Sequence, residues 1–160
     1  LKIVLAYDAL DDIRTIFREY ADSLGVSLGF QSFENELLTL PGRYALPAGR
    51  LYMAYEDGAA AGCAALRPLG KGLCEMKRLY VRPAFRQGGI GVELARKIVD
   101  DAAEIGYRRI VLDTLETMTE ATRLYGRLGF RVIEPYYHNP LPGAMYYGLD
   151  LPNRLAAGRA

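Results

Sequence analysis

Arg86-Gln87-Gly88-Gly89-Ile90-Gly91 is the stretch of this 160-residue chain whose residue types and spacing carry the most chemistry. It follows a β-branched and aromatic run ending at Val81, passes Pro83, and leads directly into an amphipathic pattern. Consecutive glycines weaken a helix. They belong where the backbone turns sharply or where a ligand approaches the N–H groups. The first N–H groups of a helix lack intrahelical partners, and the helix dipole adds partial positive charge there. Gly88, Gly89 and Gly91 leave out the Cβ atoms that would block access. The pattern predicts an anion site, fit for a phosphate or pyrophosphate. Local charge agrees, with eight basic against four acidic residues from Lys77 to Arg109. A P-loop is excluded, because Val92 follows Gly91 where Lys-Ser/Thr would be needed. The Rossmann spacing G-x-G-x-x-G is also missing. A purely structural turn is the alternative.

The elements around the loop follow from periodicity. Ile3 to Ala6 reads as a strand, and Ile13, Ile16, Phe17, Tyr20 and Leu24 fall at helical spacing before Gly25. A second helix spans about Phe33 to Leu40. Leu51 to Glu56 and Ala60 to Leu66 form a hairpin about Asp57-Gly58. A turn from Pro68 to Gly72 precedes a strand from Leu73 to Val81. Leu94, Ile98, Ala102 and Ile105 mark one helix face, stopped by Gly106. Arg109 to Asp113 is a strand, and Thr117-Met118-Thr119-Glu120 reads as a capping box for a helix closed by Gly129. Strands near Arg131 to Tyr137 and Ala144 to Leu151 end the domain. One α/β domain over residues 1–152 is expected, with a frayed tail at 153–160.

Composition adds exclusions. Half the residues are apolar, a quarter are charged, and net charge is +1. Neither nucleic acid nor a membrane surface is an expected partner. No apolar run approaches the roughly 18 residues of a membrane span, and no signal peptide is visible. Cys63 and Cys74 sit in apolar runs, as free thiols of a reducing cytoplasm would. No metal-ligand cluster stands out.

Three blocks in register carry a resemblance. Arg86 to Gly91 matches Q/R-x-x-G-x-G/A, the pyrophosphate loop of the GNAT superfamily of N-acetyltransferases. The preceding Glu75-Met76-Lys77-Arg78-Leu79-Tyr80-Val81-Arg82-Pro83 resembles that family's central strand. Ala121 to Phe130, "ATRLYGRLGF", resembles its A-x-x-L-Y-x-x-x-G-F helix and turn. The resemblance covers about Leu51 to Asp150, with Leu1 to Gly49 matching by helix pattern alone. It implies a mixed, mostly antiparallel sheet of about seven strands, flanked by about four helices, with a splayed central strand pair and a bulge.

The resemblance also implies the site. Acetyl-CoA is the implied co-substrate and no metal is implied. Its pyrophosphate would rest on the amides of Arg86, Gln87, Gly88, Gly89, Ile90 and Gly91. Its pantetheine arm would pair with the backbone of Leu79, Tyr80 and Val81. The amide near Leu79 would hold the thioester carbonyl. Glu75 resembles the family's general base, the alternatives being an exposed carboxylate or an ion pair with Lys77. Tyr125 matches the tyrosine that protonates the leaving thiolate, the alternative being a core aromatic. Met118 stands where the family often has asparagine, seven residues before that tyrosine. The acceptor would be a small primary amine, with a protein acceptor or a non-catalytic acetyl-CoA sensor as alternatives. Phe33, Tyr136 and Tyr147 are the implied acceptor contacts, within a wider set that includes Phe30, Glu34, Glu36, Tyr137, His138 and Tyr146. Residues alternate along a strand, so one tyrosine of each pair is expected to face the pocket. A cytoplasmic monomer or homodimer is the expected state.

Overall fold

A computed structural model describes residues 1–152, apart from the side chain of Phe30. The expected tail, 153–160, lies outside the described residues. The strands are β1 (Lys2–Leu5), β2 (Arg50–Glu56), β3 (Ala59–Gly70), β4 (Leu73–Val81), β5 (Arg109–Leu115), β6 (Arg131–Val132) and β7 (Ala144–Asp150). The helices are α1 (Leu10–Ser23), α2 (Phe33–Thr39), α3 (Ile90–Ile105) and α4 (Thr119–Arg127). The strands form one seven-stranded sheet in the order β1-β2-β3-β4-β5-β7-β6. Every neighbour pair is antiparallel except β4–β5.

Each face of the sheet is covered by the apolar stripe of helices. Ile13, Ile16 and Phe17 of α1 and Leu37 of α2 pack with Leu51, Met53 and Cys63 on one face. Leu94, Ile98 and Ala102 of α3 and Tyr125 of α4 pack with Leu66, Cys74 and Leu112 on the other. Asp57 and Gly58 both have positive φ, +50° and +80°. That is the two-residue turn whose twist suits a hairpin, and Glu56 pairs with Ala59 across it.

β4 and β5 diverge. Their parallel pairing joins Leu73 to Arg109, Cys74 to Ile110 and Glu75 to Val111, and stops there. β4 runs on to Val81 and β5 to Leu115. Just past the last pair, β4 carries a bulge against β3. Register slips between Cys63 and Ala65, and Arg78 takes φ +59°. The extra residue bends the strand and re-aims its side chains. The splayed central pair is therefore present.

Three expectations are corrected. β3 continues through Pro68, and the reversal sits at Gly70-Lys71-Gly72, all with positive φ. Pro68 is accommodated where the ladder to β4 is already irregular. The capping box is not formed. The Met118 carbonyl accepts the first helical bond, from the Thr122 amide, and α4 has no side-chain cap. Met118 is thus the cap position, and Thr117 lies one residue too early. Finally, β6 pairs with β7 only through Arg131 and Val132, with one further bond from the Ile133 amide to Tyr146. Pro135 cannot donate to a ladder, so the segment at Tyr136 and Tyr137 leaves the sheet.

Candidate active site

The loop after β4 builds the first part of the site. Gln87 and Gly89 have φ of +71° and +81°. Gly89 caps α3 in the left-handed conformation, and its Cβ position faces open space. Among the described residues, no backbone carbonyl accepts a hydrogen bond from the amides of Gln87, Gly88 or Gly89. Gly91 has a different reason to be glycine, since a Cβ there would meet Leu124 Cδ1 at 3.3 Å. α3 and α4 approach closely at that point. Arg123 and Arg127, one turn apart on α4, line the same depression as Arg86, Gln87 and Gly91. The sequence reading missed these two arginines, although their four-residue spacing on a helix is a visible signal. Arg86 bonds through Nε to the Val81 carbonyl at 2.9 Å, and its guanidinium lies 5.8 Å from the Tyr80 ring centroid.

The splay supplies the second part. A cleft of about 490 Å³ is lined by Leu79, Tyr80, Val81, Thr117, Met118 and Leu124. Val81, Arg86 and Leu124 border both this cleft and the glycine-loop depression. The outer backbone edge of β4 beyond Glu75 has no strand partner on the β5 side. Its amides face a space that can take an extended chain. Met118 accepts a long contact from Thr114 Oγ1 at 3.6 Å through its thioether. The loop amides, the three arginines and this bare edge together fit an anionic head and a long pantetheine-like arm.

A narrow polar cavity is the third part. Lys77, Gln31, Asp113, Asn139 and Tyr125 line it. Leu24, Leu79, Leu115 and Met118 border both it and the larger cleft, so the two meet at the splay. Tyr125 is 6% exposed, with ring centroids of Phe130 and Tyr147 at 5.8 and 5.9 Å. Burial pushes its phenol well above the usual range, so it is protonated at neutral pH.

Glu75 is buried, at 1% exposure, and its carboxylate is held on both oxygens. Arg67 Nε donates to Oε1 at 2.7 Å and the Tyr136 hydroxyl donates to Oε2. Neither alternative of an exposed carboxylate or a Lys77 ion pair describes it. Burial and the neighbouring Glu75 carboxylate push the Tyr136 phenol up. Tyr137 reaches inward as well, its hydroxyl donating to Asp113 and accepting from Gln31 Nε2 at 3.2 Å. Strand alternation therefore does not separate Tyr136 from Tyr137; both turn in because the segment is a loop. Alternation does hold on β7. Tyr146 packs on Tyr136 and Tyr137, whereas Tyr147 packs on Tyr125, away from that cluster.

Phe33 lies beneath the Arg78 guanidinium, 5.2 Å from centroid to Cζ. Arg78 is itself 2% exposed and makes a two-pronged ion pair with Glu36, both bonds at 2.9 Å. Glu34 is exposed and pairs with Arg18, and His138 is exposed. The side chain of Phe30 is outside what the structure describes. Gln31, Lys77, Asp113 and Asn139, which line the polar cavity, are not among the site residues the sequence points to. Only Asp113 carried a signal, a carboxylate closing an apolar strand.

Residues 10–130 match the family model described as Acetyltransferase (GNAT) family. An uncharacterized N-acetyltransferase of Schizosaccharomyces pombe is 43% identical over 144 residues, covering 89% of this chain and 88% of its own. N-acetylaspartate synthetase of Homo sapiens is 34% identical over 110 residues, 68% of this chain and 35% of its own. An acetyltransferase of Salmonella typhimurium, solved with its cofactor acetyl-CoA, superposes with a TM-score of 0.72. It is 20% identical and the match covers 94% of each chain. With the splayed strands, the glycine loop and these matches in hand, the chain belongs to the GNAT acetyltransferase family. Among the described residues no group of histidine, cysteine or carboxylate side chains is arranged to hold a metal ion. No described helix is long and apolar enough to cross a membrane.

Proposed function

We propose that this chain moves an acetyl group from acetyl-CoA to the primary amine of a small molecule, by direct attack in a ternary complex. The observation that carries this reading is the junction at Leu79, Leu115 and Met118, where the long cleft opens into a polar cavity beside Tyr125. Acetyl-CoA supplies the acetyl group as a thioester. The amides of Gln87 to Gly91, with Arg86, would hold its pyrophosphate, and the edge of Leu79, Tyr80 and Val81 its arm. The Leu79 amide would hold the thioester carbonyl oxygen as negative charge builds on it.

An alkyl amine has a pKa near 10 and is mostly protonated at neutral pH. Its proton must leave before the nitrogen attacks. Glu75 and Tyr136 do not themselves line the cavity, so a water would carry that proton to the Tyr136 oxygen while its own passes to Glu75, which Arg67 keeps in place. The nitrogen–carbon bond then forms, the carbon–sulfur bond breaks, and Tyr125 gives its proton to the sulfur. Glu75 and Tyr125 recover their starting states by proton exchange with solvent.

The small volume of the cavity, about 40 Å³, supports a small acceptor over a peptide. So does the relative whose name states that its product is N-acetylaspartate, an acetylated small amine. The test is free-thiol release from acetyl-CoA with a panel of amines, amino acids and peptides. Turnover of small amines above that of peptides is expected. Turnover of peptides alone, or of none, contradicts the reading.

A further inference from the structure

Charge in and behind the polar cavity is paired unevenly. Arg67 has Glu75, and Arg78 has Glu36. Lys77 differs. It is 6% exposed, and its Nζ makes one hydrogen bond, to Gln31 Oε1 at 3.1 Å. Among the described residues it forms no ion pair within 4.0 Å. An ammonium carries three donors, so two remain for the cavity it lines. A buried cation without an anion costs free energy, which is difficult to explain by packing alone. Burial, and then the adjacent Arg78, pull Lys77 down to about 8. Glu75 and Asp113 act the other way and Arg67 reinforces the fall. Lys77 therefore stays charged at neutral pH.

Asp113 is the mirror case. Its Oδ2 accepts from the Tyr137 hydroxyl and from Asn139 Nδ2 at 2.8 Å, both neutral donors. It forms no ion pair among the described residues. One chain of hydrogen bonds joins the two. Lys77 donates to Gln31, the Gln31 amide donates to the Tyr137 oxygen, and Tyr137 donates to Asp113. The cavity thus presents a cation lacking an anion and an anion lacking a cation, separated by one amide and one phenol.

We infer that the acceptor is an amino carboxylate, a free amino acid in kind, whose carboxylate seats on Lys77 and whose amine enters beside Asp113. A diamine or polyamine would bring its second positive charge toward Lys77. A peptide N-terminus has no carboxylate close to its amine. The inference rests on the small-amine reading above and narrows it.

The experiment compares the twenty amino acids with their carboxamides and their decarboxylated amines, at fixed acetyl-CoA, by thiol release. Both lose the anion and keep a primary amine, less basic in the carboxamide and more basic in the decarboxylated amine, so a preference for the acid over both isolates the carboxylate. At least one amino acid is expected to exceed its carboxamide about 10²-fold in kcat/KM, the scale of a charge-assisted bond lost in a buried site. That ratio should collapse toward unity in Lys77→Met, with Lys77→Gln as a second variant should the first misfold. Carboxamides or amines turned over as well as the acids, or an unchanged ratio in a folded Lys77 variant, overturn the inference while sparing the small-amine reading. If nothing in the panel is acetylated, the small-amine reading fails. Calorimetry with CoA-saturated protein and the same amino acids then decides the carboxylate seat separately. Binding lost in Lys77→Met upholds it, and binding absent or insensitive to Lys77 overturns it.

Discussion

The Tyr136 hydroxyl donates to Oε2 of Glu75, sixty-one positions earlier in the chain, while Arg67 holds Oε1. No strand pairing dictates that contact. It exists because the chain leaves the sheet after Ile133 and turns two tyrosines back over β4 and β5. If Glu75 receives the amine proton through this hydroxyl, Tyr136→Phe and Glu75→Gln cut the same path. Each should lower turnover about 10²-fold, within the range for general-base catalysis. The double variant should be little worse than either alone, since residues acting as a unit are not additive. Raising the pH should partly restore Glu75→Gln, because more amine is already deprotonated. Steady-state rates across pH check both points; additive losses would separate the two residues.

The glycine loop gives a binding prediction. Gly89 sits at φ +81° with open space before it. Gly89→Glu puts a carboxylate where the pyrophosphate should rest and should weaken acetyl-CoA binding roughly 10²-fold, as close like charges cost several kcal/mol. Gly89→Asn tolerates the same φ without the charge and should bind much more nearly as wild type does. Calorimetry on both folded variants reads the difference.

The two thiols are separated by the sheet. Cys63 belongs to the cluster under α1 and Cys74 to the cluster under α3, and along the ladder they face Tyr80 and Pro68. A disulfide needs Cβ atoms within about 4.5 Å and pointing together. Burial also pushes both thiols up, so they should resist alkylation in the native state. Intact mass after alkylation without reductant should show two modified thiols in denaturant and none before it.

Lys77 carries a stability prediction with a definite sign. Its folded value, about 8, is below its ordinary 10.5. The unfolded chain therefore binds more protons between those values, and stability rises with pH across that window. Below about 8 the ammonium is charged in both states and the full cost of burying it applies. Lys77→Met should stabilise the fold at pH 7 by on the order of 3 kcal/mol, and the gain should shrink as the pH approaches 10. Urea unfolding at the two pH values measures this. A variant that stabilises the fold while damaging acceptor selection fits a residue kept for function.

The fold was legible in the sequence wherever periodicity and turn chemistry agreed. β4 runs from Leu73 to Val81 as expected, and the helices at Leu94 and Tyr125 lie where their apolar stripes put them. What failed was local competition. Pro68 reads as a turn but sits in a strand already irregular there, and Thr117 reads as a cap but lies one residue too early. The glycine loop was legible because glycines and charge are visible in one short stretch. The polar cavity is not, because Gln31, Lys77, Asp113 and Asn139 come from four separate parts of the chain. In sequence Lys77 is one basic residue among several and a possible partner of Glu75; that it is buried, at 6% exposure, is set by packing from distant parts of the chain.

The most direct measurement of the central claim is the chemistry-limited rate of Tyr125→Phe with the best amine from the panel. The ring keeps its contacts with Phe130 and Tyr147, so fold and CoA affinity should survive. Turnover should fall roughly 10²- to 10⁴-fold, the range for a lost general acid. Turnover equal to wild type, with chemistry shown to be rate-limiting, would make Tyr125 a packing residue and contradict proton delivery at the splay.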